Sequence, residues 1–133
     1  MRQIRLKKGC DMSKKILIAD DEPNIAQLVS FRLQSANYVT VMAQDGQEAF
    51  DKTEKEMPDL LVIDMTMPKM DGYTLFKKLR SNQKYKNIPI IILTASEEFE
   101  DVRKCIAEGV EAYLKKPFKP EILLGLIKGL LGE

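Results

Sequence analysis

The sequence predicts an α/β fold: a five-stranded parallel sheet, doubly wound, with helices on both faces. Three observations predict it. Five short apolar runs recur along the 133 residues, each followed by an amphipathic stretch. Two of them, Leu60–Ile63 and Ile90–Leu93, are apolar without interruption, as expected of strands covered on both sides. The chain has no internal repeat, low-complexity tract or linker, so the five units belong to one domain, long enough to bury a core without crosslinks.

The first strand is Ile16-Leu17-Ile18-Ala19, ended by Asp20. Glu22 then stands at an N-cap position, and Pro23 suits the first helical position because its φ is preset and it needs no amide donor. Ile25, Leu28, Val29, Leu33 and Ala36 follow at spacings that line one helical face, with Asn37 as a left-handed stop. Tyr38-Val39-Thr40-Val41-Met42 is short and β-branched, hence the second strand. Asp45-Gly46 opens a helix with Ala49, Phe50 and Thr53 inward, and Pro58-Asp59 ends it.

Leu60–Ile63 is the third strand, and Tyr73 to Arg80 the third helix, with Tyr73, Phe76, Leu79 and Arg80 spaced along it. Ile90–Leu93 is the purest strand signal in the chain. Glu97 to Glu108 reads as a helix stopped by Gly109. Ala112–Lys115 is the last strand and Pro120–Leu131 the last helix.

Composition removes several function classes. Apolar residues at 44% and charged residues at 31% make an ordinary globular balance, and no apolar run approaches the length of a membrane span. Cys10 and Cys105 form no C-x-x-C pair, so neither a disulfide framework nor a zinc site is implied, and a reducing cytoplasm suits them. The chain has no histidine, which excludes Ser-His and Cys-His catalysis, histidine-held metals and a phosphohistidine of its own.

The formal charge of +1 is uneven: residues 1–15 carry six cations against Asp11, a net of +5, leaving −4 for the rest. That basic head lacks aromatic residues and an apolar face, so it reads as a solvated leader rather than a nucleic-acid or membrane contact. Residues 1–13 are accordingly expected to be a disordered or partly ordered extension, and residues 14–133 the domain.

In open parallel sheets, ligands bind beyond the carboxyl ends of the strands. Asp20 and Asp21 end strand one, Asp64 strand three, Thr94 strand four, and Lys116 strand five. Three crowded carboxylates repel one another, and a hard divalent cation resolves that repulsion. Magnesium prefers oxygen ligands, keeps several waters and shares substrate phosphate oxygens. A lysine adds a compact positive charge and a threonine a hydroxyl donor. Phosphoryl transfer asks for little more than positioning and charge neutralisation. The residues fit that chemistry.

Four segments then carry a family resemblance: Ile18-Ala19-Asp20-Asp21-Glu22-Pro23, Val62 to Gly72, Ile92-Leu93-Thr94-Ala95, and Tyr113-Leu114-Lys115-Lys116-Pro117-Phe118. In order and spacing, from about Lys14 onward, the chain resembles the receiver domains of two-component response regulators, of the chemotaxis-regulator kind. The resemblance implies a flavodoxin-like (βα)5 fold. It implies Asp64 as phosphoacceptor from a phosphohistidine on a sensor histidine kinase or phosphotransfer protein. It further implies magnesium held by Asp21 and Asp64, by Asp20 through water, and by the backbone carbonyl of Thr66. Lys116 and Thr94 would contact the phosphoryl group, Tyr113 would be the switch aromatic, and Lys116-Pro117 would be cis.

Met65, Thr66 and Ser96 fill slots bordering the path of the hydrolytic water, and the family pattern does not fix them. A downstream protein target or an output domain outside this sequence would complete the pathway. The domain itself is expected to contact neither nucleic acid nor membrane, to be cytoplasmic, and to be a monomer or a weak phosphorylation-dependent dimer.

Bland readings exist for each residue. Asp20-Asp21 also suits a helix start, Thr94 a strand end, Tyr113 a rim position, and Lys116 a solvated surface beside Lys115. Adjacent strand residues point to opposite faces, so at most one of those lysines enters the site, and the resemblance picks Lys116. Rival functions also have discriminating residues. A magnesium-dependent phosphatase of haloacid-dehalogenase type needs an acid two residues after its nucleophile, where Thr66 stands. A flavin carrier needs a glycine- and hydroxyl-rich loop after strand one, where Asp20-Asp21-Glu22 would repel phosphate. A partner-binding pseudo-receiver would not need all five chemical positions.

Overall fold

A computed structural model describes residues 13–95 and 99–133. The basic leader through Met12, Cys10, Ser96 and the expected helix start at Glu97 therefore lie outside the described residues.

Strands and helices alternate: β1 (Lys15–Ala19), α1 (Pro23–Ser35), β2 (Val39–Ala43), α2 (Gly46–Glu56), β3 (Leu60–Asp64), α3 (Gly72–Arg80), β4 (Ile90–Thr94), α4 (Phe99–Ala107), β5 (Ala112–Lys115) and α5 (Pro120–Leu131). All strand pairs are parallel, in the order β2-β1-β3-β4-β5.

Alternation along each strand divides the core into two layers. Leu17, Ala19, Leu61, Ile63, Ile90 and Ile92 pack with α2, α3 and α4 through Phe50, Leu75, Phe76, Leu79, Val102 and Cys105. Ile16, Ile18, Leu60, Val62, Ile91 and Leu93 face α1 and α5 through Ala26, Val29, Leu33, Leu123 and Ile127. Strands β3 and β4 are buried along their whole length, as their unbroken apolar runs require.

Local chemistry explains most ends. Pro23 begins α1, and Asp45 and Asp71 cap α2 and α3 by accepting from the amides of Glu48 and Thr74. Asn37 and Gly109 lie at φ 73° and 91°, the left-handed stops expected of them.

Three details differ from the sequence expectation. Helix α2 is stopped by Met57, left-handed at φ 47°, before Pro58 is reached. Helix α1 buries Ala26, Val29, Ser30 and Leu33, while Leu28 is 56% exposed. Ser30 is tolerated inside because its hydroxyl meets that of Thr40 at 2.7 Å. Helix α3 buries Leu75 along with Phe76 and Leu79, whereas Tyr73 and Arg80 are half-buried. Among the described residues no helix is long and apolar enough to cross a membrane.

Candidate functional site

The sheet order reverses direction at β1, whose neighbours are β2 and β3. Crossover helices leave to opposite faces there, opening a crevice at the carboxyl ends of β1 and β3. Asp20 and Asp21 follow β1, and Asp64 is the last residue of β3. Asp64 pairs with Leu93, so Thr94 lies one step further along the adjoining strand, and Thr94 in turn pairs with Lys115. Residues separated by up to 96 positions thus reach one edge.

The acids do converge. One carboxylate oxygen from each of Asp20, Asp21 and Asp64 lies within 4.8 Å of the others. Asp20 and Asp64 are buried, and Asp21 is exposed. Asp20 Oδ1 accepts from the Glu22 amide at 2.9 Å, a bond that turns the chain into α1. Asp20 Oδ2 is buried without a hydrogen-bond partner, although the Lys116 ammonium lies 3.3 Å away in poor hydrogen-bond geometry. Burial pushes the Asp20 pKa up, against the opposing pull of the Glu22 amide and Lys116.

A buried carboxylate oxygen without a hydrogen bond, in a cluster of three acids with one lysine beside them, fits an oxygen-loving divalent cation. The donor set matches magnesium: hard carboxylates, one of them open to solvent and therefore compatible with bound water.

Lys116 Nζ sits among the acids, 2.9 Å from Glu22 Oε1, 3.2 Å from Asp64 Oδ1 and 3.3 Å from Asp20 Oδ2. Burial alone would lower its pKa, but Glu22, Asp64 and Asp20 outweigh burial and hold it above the ordinary lysine value. The ammonium is therefore permanently charged at neutral pH. The peptide bond from Lys116 to Pro117 is cis, as the resemblance implies.

Thr94 is buried and its hydroxyl donates to the Ala95 carbonyl at 2.8 Å. Tyr113 is 50% exposed, its ring turned outward on β5. Thr66 is exposed in the loop between β3 and α3. The three acids and Lys116 meet in one cluster, Thr94 stands on the adjoining strand end, and Tyr113 lies at the outer strand.

Glu22 is the participant that sequence reasoning assigned elsewhere. It does occupy the N-cap position of α1, yet its side chain makes no capping bond and reaches Lys116 instead. Its signal was the charge excess: three consecutive acids, Asp20, Asp21 and Glu22, follow β1.

Comparison with known proteins agrees with this geometry. Residues 16–128 match the family model described as response regulator receiver domain. The alkaline phosphatase synthesis transcriptional regulatory protein PhoP of Bacillus subtilis is 40% identical over 120 residues, covering 90% of this chain and 49% of PhoP. The DNA-binding dual master transcriptional regulator RpaA of Synechocystis is 37% identical, over 88% of this chain and 48% of RpaA. The chain spans about half the length of these curated relatives.

Among solved structures, the chemotaxis protein CheY4 of Vibrio cholerae superposes with a TM-score of 0.81 at 38% identity, over 88% of this chain and 98% of CheY4. The receiver domain of sensor histidine kinase PA1611 from Pseudomonas aeruginosa, solved with a magnesium ion in its active-site cleft, superposes with a TM-score of 0.82 at 29% identity, over 91% and 99% of the two chains. Receiver domains are signalling domains rather than enzymes working on outside substrates. With its parallel sheet, its acidic crevice and its match over residues 16–128, the chain belongs to the response regulator receiver domain family.

Proposed function

We propose that Asp64 accepts a phosphoryl group from a phosphohistidine on a sensor histidine kinase or phosphotransfer protein. The carrying observation is the cluster itself: three carboxylates within 4.8 Å of one another and an ammonium 3.2 Å from Asp64. A carboxylate oxygen of Asp64 forms the new bond to phosphorus as the bond from phosphorus to the donor imidazole nitrogen breaks.

Asp20, Asp21, Asp64 and the Thr66 backbone carbonyl are the groups that would hold magnesium. Bound there, the ion would neutralise charge on the phosphoryl oxygens. Lys116 supplies a fixed positive charge to the same oxygens, and the Thr94 hydroxyl exchanges its bond to Ala95 for one to the phosphoryl group. Tyr113 follows Thr94 inward, altering the surface formed by α4, β5 and α5. The modification shifts a two-state equilibrium by its differential contacts with the two states.

In this reading the domain spans residues 14–133, with residues 1–13 an extension outside it. The domain catalyses only its own phosphorylation and dephosphorylation, works in the cytoplasm, and signals to a downstream protein or an output domain. Incubation with acetyl phosphate and magnesium, followed by intact-mass measurement, tests the proposal. One added phosphate is expected, and Asp64→Asn should add none; equal labelling of that variant would refute the assignment.

A further inference from the structure

The geometry points to Gly46, at the start of α2, as a positioning residue for the metal-site loop at 65–71. The inference rests on the reading above, in which Asp64 and the Thr66 carbonyl help hold magnesium. Gly46 is not a glycine for the sake of φ: among the described residues, the glycines with positive φ are Gly109 and Gly132. Nor is it there for helix formation, since alanine is the better helix former at that place. Space is the remaining reason. A Cβ on Gly46 would fall on the Met70 carbonyl oxygen, 2.6 Å from the Met70 Cβ and 2.7 Å from its carbonyl carbon. Backbone, unlike a long side chain, cannot swing aside.

What presses against Gly46 is a strained turn. Met70 donates its amide to the Pro68 carbonyl at 2.7 Å, with Lys69 between them at φ 68°. That region is unfavourable for a residue with a Cβ and persists only when the surroundings enforce it. The surroundings here are the first turn of α2: Gly46 receives the Met70 carbonyl, and Asp45 stands 3.8 Å from the Lys69 ammonium while capping the helix.

The base of the loop is equally confined. Gly72 donates to the Met65 carbonyl at 2.9 Å, and a Cβ there would lie 2.5 Å from the Asp64 carbonyl oxygen. The loop carrying Thr66 is thus closed at its base, where Gly72 meets Met65 and Asp64, and is held against α2 at Met70. A displaced Met70 carbonyl is transmitted to Thr66 and the Asp64 rim because the closed base, Gly72 against Met65 and Asp64, leaves no slack to absorb it.

The test compares the full chain with its Gly46→Ala and Gly125→Ala variants; Gly125 has nothing within 4 Å of its added Cβ. Magnesium affinity is measured by calorimetric titration well below the melting temperature, beside metal-free stability in urea. Gly46→Ala should weaken magnesium binding by about tenfold, the loss typical of removing support behind a ligand, and Gly125→Ala should leave it unchanged. A purely structural glycine would lower stability alone and leave the affinity of the folded protein intact. If Gly46→Ala does not fold in buffer, all three proteins are titrated in trimethylamine oxide, which favours the compact state. Affinity within about twofold of the parent would overturn the inference, since a displaced loop should cost far more. A parent chain that binds no magnesium would instead bring down the metal reading on which it rests.

Discussion

The Lys116 ammonium, just after β5, lies 3.2 Å from Asp64 Oδ1 at the end of β3. The same nitrogen is 3.3 Å from Asp20 Oδ2, so one cation offsets two buried acids. Removing it should leave carboxylates without their counter-charge. Lys116→Met is expected to destabilise the metal-free protein by about 3 kcal/mol, as when one partner of a buried pair is lost. Magnesium, being a replacement cation, should restore more stability to this variant than to the parent. Urea unfolding with and without magnesium measures both, and an equal magnesium gain in the two proteins would speak against a shared site.

Asp21 differs from Asp20 and Asp64 in being exposed, so its removal need not disturb the core. Magnesium should raise the melting temperature of the parent by mass action, because it binds the folded cluster better than the open chain. Asp21→Ala should abolish most of that rise while leaving metal-free stability within about 0.5 kcal/mol, as is usual for surface substitutions. A full magnesium response in the variant would place the ion elsewhere.

Much of this arrangement was legible because strand and helix periods are local. Unbroken runs such as Ile90–Leu93 announce strands buried on two faces, and the parallel sheet then dictates that Asp20, Asp64, Thr94 and Lys116 share an edge. Features set by packing between distant segments were not legible. Leu28 falls at a helical spacing compatible with the core, yet α1 is rotated so that Ala26 and Ser30 take the inner face. Glu22 carries a helix-start signature, and its bond to Lys116 arises only where the segment after β5 reaches across the folded sheet edge. A non-glycine φ of 68° at Lys69 leaves no mark in Met67-Pro68-Lys69-Met70, a turn that packs against Gly46, twenty-odd residues away.

The thiol of Cys105 is fully buried, and its pKa is pushed up to about 12, first by burial and then by Glu108 and Asp101. In a Cys10→Ser background it should resist thiol reagents at neutral and mildly alkaline pH until the protein unfolds. The sign of the linked pH effect follows from the raised folded value. Below the unfolded pKa near 9.0 both states keep the proton and the contribution to stability is complete. Between there and about 12 only the unfolded chain ionises, so stability falls. Cys105→Ala should flatten that part of the alkaline stability profile; an unaltered slope would mean that other groups set it.

At the opposite end of the sheet, one carboxylate oxygen joins three elements. Glu111 Oε1 accepts from Arg80 Nη2 at 2.6 Å and from the Ile90 amide at 2.8 Å, while Arg80 Nη1 donates to the Ile88 carbonyl at 2.9 Å. Ile90 opens β4 and is completely buried, so its amide has little access to water as a substitute. Glu111→Ala should therefore cost about 2 kcal/mol, the penalty of a buried donor left unsatisfied. Glu111→Gln keeps a neutral oxygen for that amide but surrenders the charge facing Arg80, and should cost about half as much, because neutral bonds are roughly half as strong as charge-assisted ones. Equal losses in the two variants would assign the stabilisation to the ion pair alone. Amide exchange at Ile90 separates the contributions directly: it should accelerate in Glu111→Ala and stay slow in Glu111→Gln.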